Sequence, residues 1–256
     1  MTSMVLSAGF VGLVDYPVAL ALQERLLDLR FADAVSDTLL LLEHPHVFTL
    51  GRGASEDGIL EVLPGVSVYR VSRGGQATYH GPGQLIGYPI IKLEGQARDV
   101  HAYLRSLERV IIGALQDHSV QAQRRAGLTG VWVGERKIAS IGVGIRRWIT
   151  MHGFAVNVSN DLRFFSSIVP CGISGCPMTS VAAEGGRAAL TEPFSLTVSA
   201  HFARAFGYDA VGPLDATVRR LLEEESSRAW QATAAMPPGA SSTRAAADPK
   251  GMARRP

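Results

Sequence analysis

Over residues 17–33, Val18, Leu20, Leu22, Leu26, Leu27 and Leu29 recur among charged side chains. That spacing predicts an amphipathic helix, with Asp15 as its cap and Pro17 near its first position. Over 99–118 the same period returns at Val100, Leu104, Leu107, Val110, Ile111 and Leu115, predicting a helix laid across a sheet. Residues 192–206 and 214–228 read as two further helices. Elsewhere the period shortens. Apolar runs at 38–42 and 47–50, split by His44-Pro45-His46, predict two strands, and 66–71 and 86–93 predict two more on either side of a glycine-rich stretch. Strands at 130–133, 137–145 and 149–158 follow with turns between them, which is the pattern of an antiparallel meander. The expected class is α+β, a mixed but antiparallel-rich sheet flanked by helices.

Composition narrows the picture. A chain of 256 residues, 46% of them hydrophobic, can bury a full core as one domain, placed at 1–228. Residues 229–256, rich in Ala, Pro, Ser and Arg, read as a disordered tail. No apolar run approaches the roughly 18 residues of a membrane span, and the first residues lack a basic leader, so a cytoplasmic protein without membrane contact is expected. A net charge of +2 with dispersed basic residues argues against nucleic acid as a partner. Arg124-Arg125 and Arg146-Arg147 fit a solvated face or contact with an acidic partner. His44 and His46 flank a proline without a carboxylate cluster and read as turn residues, so no metal is expected.

Residues 73–88, RGGQATYHGPGQLIGY, carry five glycines and Pro82. Such a density brings backbone close to a ligand or demands positive φ. Its spacing matches neither a P-loop nor a dinucleotide fingerprint. Downstream, the two cysteines share CGISGC, which is not the C-x-x-C of redox sites. For Cys171 to act as a nucleophile it needs a nearby cation, a base or backbone donors, and Lys137 is the candidate amine. A strand-end lysine exposed to solvent is the plain alternative.

The glycine stretch is preceded by EHPHVFTLGR and followed in order by KIASIG from Lys137, HGFAVN from His152 and PCGI from Pro170. This series resembles the lipoyl(octanoyl) transferases, with a likeness running from about Leu39 to Val181. The resemblance implies a biotin/lipoate-ligase-like catalytic domain that moves an octanoyl group from acyl carrier protein to a lysine. The acceptors it implies are the lipoyl domains of 2-oxoacid dehydrogenase E2 subunits and the glycine cleavage H protein. Cys171 would carry the acyl group as a thioester and Lys137 would assist it. Arg73, Gly74, Gly75, Gln76, Ala77, Thr78, Tyr79 and His80, with Ser140, Ile141, Gly142, Gly153, Phe154 and Ala155, would line the substrate site. No cofactor is expected, because a thioester donor is already activated. His80 fits either a polar group that orients substrate or a satisfied structural histidine. Three rival readings stand beside this one: an ATP-dependent lipoate or biotin ligase, a thiol hydrolase pairing Cys171 with His80 or His152, and a non-catalytic acyl-binding module.

Overall fold

The computed structural model describes residues 3–55, 58–169, 175–187 and 190–234. The chain opens with strand β1 (Val5–Leu13) and helix α1 (Tyr16–Phe31), then β2 (Thr38–Glu43) and β3 (Val47–Leu50). Strands β4 (Ser67–Arg70), β5 (Ala77–His80) and β6 (Gln84–Ile90) precede helix α2 (Val100–Asp117). A run of strands follows: β7 (Gln123–Arg125), β8 (Leu128–Val133), β9 (Arg136–Arg146) and β10 (Ile149–Asn157). Helix α3 (Thr191–Phe206), strand β11 (Ala210–Gly212) and helix α4 (Ala216–Ala234) complete it.

Eight strands form one sheet in the order β11-β1-β2-β6-β10-β9-β8-β7, and β4-β3-β5 form a second, smaller sheet. In the large sheet β1 pairs in parallel with β11 and β2, and the remaining neighbours are antiparallel. Helices cover both faces. Leu39 and Leu41 of β2 pack with Leu107, Ile111, Phe194 and Phe202 of α2 and α3. Leu40 and Leu42 pack with Leu22 and Leu26 of α1 and Val218 of α4. A strand buried on both faces needs no polar alternation, which explains the unbroken leucines of β2.

The expected class is observed, and several details differ. Asp15 precedes α1 without a side-chain capping bond, whereas Asp99 caps α2 by accepting from His101 and Ala102 N–H. Strands β1, β5, β7 and β11 were not expected. β1 is interrupted by Gly9 and Gly12, and β7 is Gln-Arg-Arg, so neither carries an apolar alternation. Helix α4 continues to Ala234, past the boundary expected at 228. Ala229 packs against the core, and Arg228 pairs with Glu225 three residues back, which extends the last turns. Among the described residues, no helix is long and apolar enough to cross a membrane.

Where β10 meets β6 the two backbones nearly touch. A Cβ on Gly153 would stand 2.1 Å from the Gly87 carbonyl oxygen and 2.6 Å from Pro89 Cδ. Backbone cannot yield as a side-chain tip can. Gly153→Ala is therefore expected to destabilise the fold by about 1–3 kcal/mol, read from urea unfolding; unchanged stability would show that the strands have room to part.

Candidate active site

A single pattern in β9 and β10 makes room for a ligand. Ser140 pairs with Ala155 and Gly142 with Gly153 across the two strands. These four small residues share one face, while Ile141, Val143 and Phe154 of the opposite face join the core under α2 and α3. Nothing on the small-residue face is bulky enough to fill the space above it. The result is a cavity of about 260 Å³, closed by residues from the glycine stretch, α1 and β8. Its walls run from Ile86 and Tyr88 on β6 across β10 and β9 to Trp132 on β8. Three inter-strand steps make that a slot of roughly 14 Å.

Lys137 reaches the slot because β9 is irregular. The register shifts between Val131↔Ala139 and Trp132↔Lys137, and Ile138 and Ala139 both enter the same core. The extra residue turns Lys137 toward the cavity face, as bulges near binding sites do. Its side chain crosses Gly130, which sits at φ +125°, and a Cβ there would approach Lys137 Cε to 2.7 Å. Lys137 Nζ donates to the Thr129 carbonyl at 3.2 Å and lies 5.3 Å from the centre of the Trp132 ring. The Lys137 backbone is held too: its N–H donates to Pro177 and its carbonyl accepts from Thr179 N–H. Residues 177–179, which follow the cysteine segment, thus run alongside Lys137.

Arg73 is buried within the protein. Its Nη1 donates to the Gly74 and Gln76 carbonyls at 3.0 and 2.9 Å, and its Nη2 to the Thr49 carbonyl and hydroxyl at 2.8 and 2.7 Å. Gly51 and Gly142 give it passage, since a Cβ on either would press on Arg73 or the Gly74-Gly75 carbonyls. Gly74 N–H donates to Val143 on β9 at 2.9 Å. The loop is thereby tied to both sheets.

Of the site residues read from the sequence, Arg73, Gly75, Gln76, Ala77, Thr78, His80, Lys137, Ser140, Ile141, Gly142, Gly153, Phe154 and Ala155 line one cavity. Gly74 and Tyr79 do not line it. Alternation in β5 sends Tyr79 opposite to Thr78 and His80, where its ring stacks on Phe164 and its hydroxyl shares a hydrogen bond with His46 Nδ1 at 2.7 Å. Cys171 lies outside the described residues, as do Pro170, Gly172 and Ile173. Sequence reasoning missed Tyr16, Ile86, Tyr88, Leu128, Thr129, Trp132 and the glycine seat at Gly130. Gly130 alone left a signal, a glycine inside a strand.

Three buried histidines stand around this site and all are held neutral. His44 Nδ1–H donates to the Val14 carbonyl at 2.6 Å and its Nε2 accepts from Tyr88 hydroxyl at 2.8 Å. Burial pushes it down to about 4. Burial, with the charge of Arg73, pushes His80 down to about 3. His152, at φ 55°, gives its N–H to Gln23 Oε1 and shares a 3.3 Å hydrogen bond with Ser72 Oγ. Burial and then Arg73 and Arg52 push it down to about 3. Burial also raises Tyr16 to about 12. Among the described residues lining the cavity there is no carboxylate.

The arginine pairs noted in the sequence are occupied within the chain: Arg124 by Glu108, Arg125 by Glu135 and Arg146 by Asp28, with Arg147 over Phe31. No group of three His, Cys, Asp or Glu side chains suited to a metal occurs among the described residues.

Architecture of this kind is that of the lipoate-protein ligases. Lipoate-protein ligase A bound with ATP matches with a TM-score of 0.70 at 14% identity, over 86% of this chain and 94% of that one. A bi-partite lipoate protein ligase from Thermoplasma acidophilum matches with a TM-score of 0.64 at 17% identity, over 88% and 96%. At such identities the likeness is one of fold. The lipoyl protein ligase A/B catalytic domain matches residues 15–203, and the chain belongs to that family. Within it, the chain is 51% identical over 204 residues to an octanoyltransferase of Solibacter usitatus, covering 78% of this chain and 92% of that protein. It is 47% identical over 205 residues to an octanoyltransferase of Gloeobacter violaceus, covering 77% and 88%.

The neutral histidines set an acid limit on the fold. Their ordinary value is 6.5 and their folded values are depressed, so below pH 6.5 the unfolded chain binds protons that the folded chain refuses. Stability is expected to fall from pH 6.5 down to about 4, by up to about 1.4 kcal/mol per pH unit for each histidine. His152→Asn, which tolerates positive φ, should remove about a third of that slope. Urea midpoints measured across the range decide it, and an unchanged slope would clear His152 of the effect.

Proposed function

We propose that the slot holds the acyl chain of an octanoyl group, which Cys171 carries as a thioester while Lys137 moves the proton. The chain is an acyltransferase of protein lipoylation, as its half-identical relatives are octanoyltransferases across most of its length. The observation that carries the finer reading is the small-residue slot that ends at the Lys137 amine, beside residues 177–179 of the segment that follows Cys171. Burying an eight-carbon chain there would contribute on the order of 5 kcal/mol at about 0.8 kcal/mol per methylene.

Two half-reactions follow. In the first, the Cys171 thiol proton passes to Lys137 Nζ and the sulfur attacks the carbonyl of octanoyl-acyl carrier protein. The phosphopantetheine sulfur leaves and takes the proton back from Lys137. One thioester replaces another. In the second, a lysine amine of a lipoyl domain attacks the acyl-Cys171 carbonyl, Lys137 takes the proton the amine gives up, and the departing Cys171 sulfur receives it. An amide replaces the thioester, so the step runs downhill without nucleotide. Among structural neighbours one is described together with its E2 lipoyl domain, which supports lipoyl domains as acceptors. The donor and the cytoplasmic setting are part of the proposal.

The hydrolase reading loses ground on geometry. His80 has its Nδ1 committed to Gln84, and both His80 and His152 are poor bases when held near 3.

Incubation with octanoyl-acyl carrier protein and peptide mass spectrometry tests the proposal. An octanoyl adduct on Cys171, discharged by a lipoyl domain without ATP, is expected. Strict dependence on Mg²⁺-ATP with no adduct would overturn it in favour of a ligase. Lys137→Ala should slow acylation by roughly 10²-fold or more while donor KM changes little. Gly130→Ala, which crowds the Lys137 stem, should slow it by roughly tenfold; a full wild-type rate would show that the amine does not need its glycine seat.

A further inference from the structure

The corner between β5 and β6 places two polar side chains together. Gly83 sits at φ 81° after Pro82, and Gln84 N–H closes the turn on the Gly81 carbonyl at 3.1 Å. Proline followed by a positive-φ glycine is the pattern of a type II turn. Glu43 pins it by accepting Gly83 N–H at 2.8 Å. Across the turn, His80 Nδ1 lies 2.8 Å from Gln84 Oε1. Gln84 Nε2 donates to the Tyr79 carbonyl at 3.2 Å and to Asn157 Oδ1 at 2.9 Å. Asn157 Nδ2 donates to the Thr179 carbonyl at 2.9 Å.

These bonds can run in one direction alone. Backbone carbonyls only accept, so Asn157 must turn its nitrogen to Thr179 and its oxygen to Gln84. Gln84 then faces two acceptors with its nitrogen and keeps its oxygen for His80. His80 must carry its proton on Nδ1, leaving Nε2 as an acceptor on a residue that lines the cavity. Its ionisable neighbours, Tyr16, His44, Arg73 and His152, include no acid that would favour a second proton. At the far end, Thr179 N–H donates to the Lys137 carbonyl and Val181 N–H to the Asn157 carbonyl, both at 2.9 Å. His80, Gln84, Asn157 and Thr179 are all buried. Buried polar chains this fully satisfied fix a single arrangement.

We infer that Gln84 and Asn157 are positioning residues: one run of hydrogen bonds sets both the tautomer His80 shows to the cavity and the seat of residues 177–179 against Lys137. This rests on the reading in which Cys171 and Lys137 react as a pair, because the seated residues are those that follow Cys171. The relay belongs to neither substrate nor reacting atoms. It acts through the backbone of residues 177–179 and of Lys137.

Single-turnover acylation of Cys171 is to be measured for the wild type, Gln84→Met, Asn157→Ser and the double variant, with ¹⁵N-histidine NMR of the same proteins. Each single variant should lose about tenfold or more in the acylation rate constant with donor KM within about twofold, and the double should be no worse than about twofold below either single. Wild-type His80 should show the Nδ1–H tautomer, and Asn157→Ser, two links away, should shift its signal. A wild-type Nε2–H tautomer overturns the inference without any variant having to fold. So do unchanged rates, or single-variant losses that multiply in the double. Failure of the wild type to form any acyl-Cys171 would instead overturn the underlying reading, a result distinct from an adduct that forms normally in the variants.

Discussion

The Arg73 guanidinium is the rivet of this structure. A buried cation is tolerable only when its donors meet acceptors, and Arg73 places four hydrogen bonds on three carbonyls and a hydroxyl. Of the three residues these bonds reach, Thr49 belongs to the small sheet. The arginine's own loop reaches the large sheet through Gly74 and Val143. Without this bridge, the small-residue face of β9 and β10 would be open to whatever could collapse onto it. With it, the glycine stretch stands off from the sheet at a fixed height and the slot stays open. The glycines at 51 and 142 are best understood from this side: both make way for the arginine, and Gly142 lines the cavity as well.

The cavity so formed separates its two kinds of polarity. One wall is a set of buried aromatic and imidazole rings, with Tyr16 stacked on His80 and His44 bonded to Tyr88. All are held in their neutral forms. The other end presents the Lys137 amine, braced by Thr129 and Trp132. Among the lining residues described there is no acidic side chain that would stabilise an arriving ammonium. An attacking lysine arriving in such surroundings is favoured in its uncharged, nucleophilic form, because burial penalises the charged one.

Much of this was legible in the sequence because it is local. The helices at α1, α2 and α3 announce themselves by period, and the β8-β9-β10 meander by closely spaced strands and turns. The glycine stretch declares close approach by composition. What was hidden is non-local or depends on a defect in a regular element. The turn of Lys137 into the slot comes from one extra residue in β9, which strict alternation would not foresee. The role of Gln84 and Asn157 depends on β6 and β10 being neighbours, 73 residues apart in sequence. Tyr79 was grouped with its loop neighbours, yet the two-residue period of β5 sends it to the opposite face. Cys171 was reached through motif order, and the described structure speaks only of the residues on either side of it.

The fold is shared with proteins that bind ATP, so the scaffold alone cannot decide between adenylation and acyl transfer. What separates the two chemistries is the source of activation. An adenylating enzyme must gather a triphosphate and screen its charge, whereas a thioester donor arrives activated and needs only a slot for its chain, a sulfur to receive it and an amine to move one proton. The features built into this chain answer that shorter set of needs. Small residues open the slot, a bulge and a glycine aim the amine, and Pro177 and Thr179 hold the chain that follows Cys171 against the same strand. The assembled site therefore supports the proposed transfer by thioester exchange, with the common fold serving as its frame.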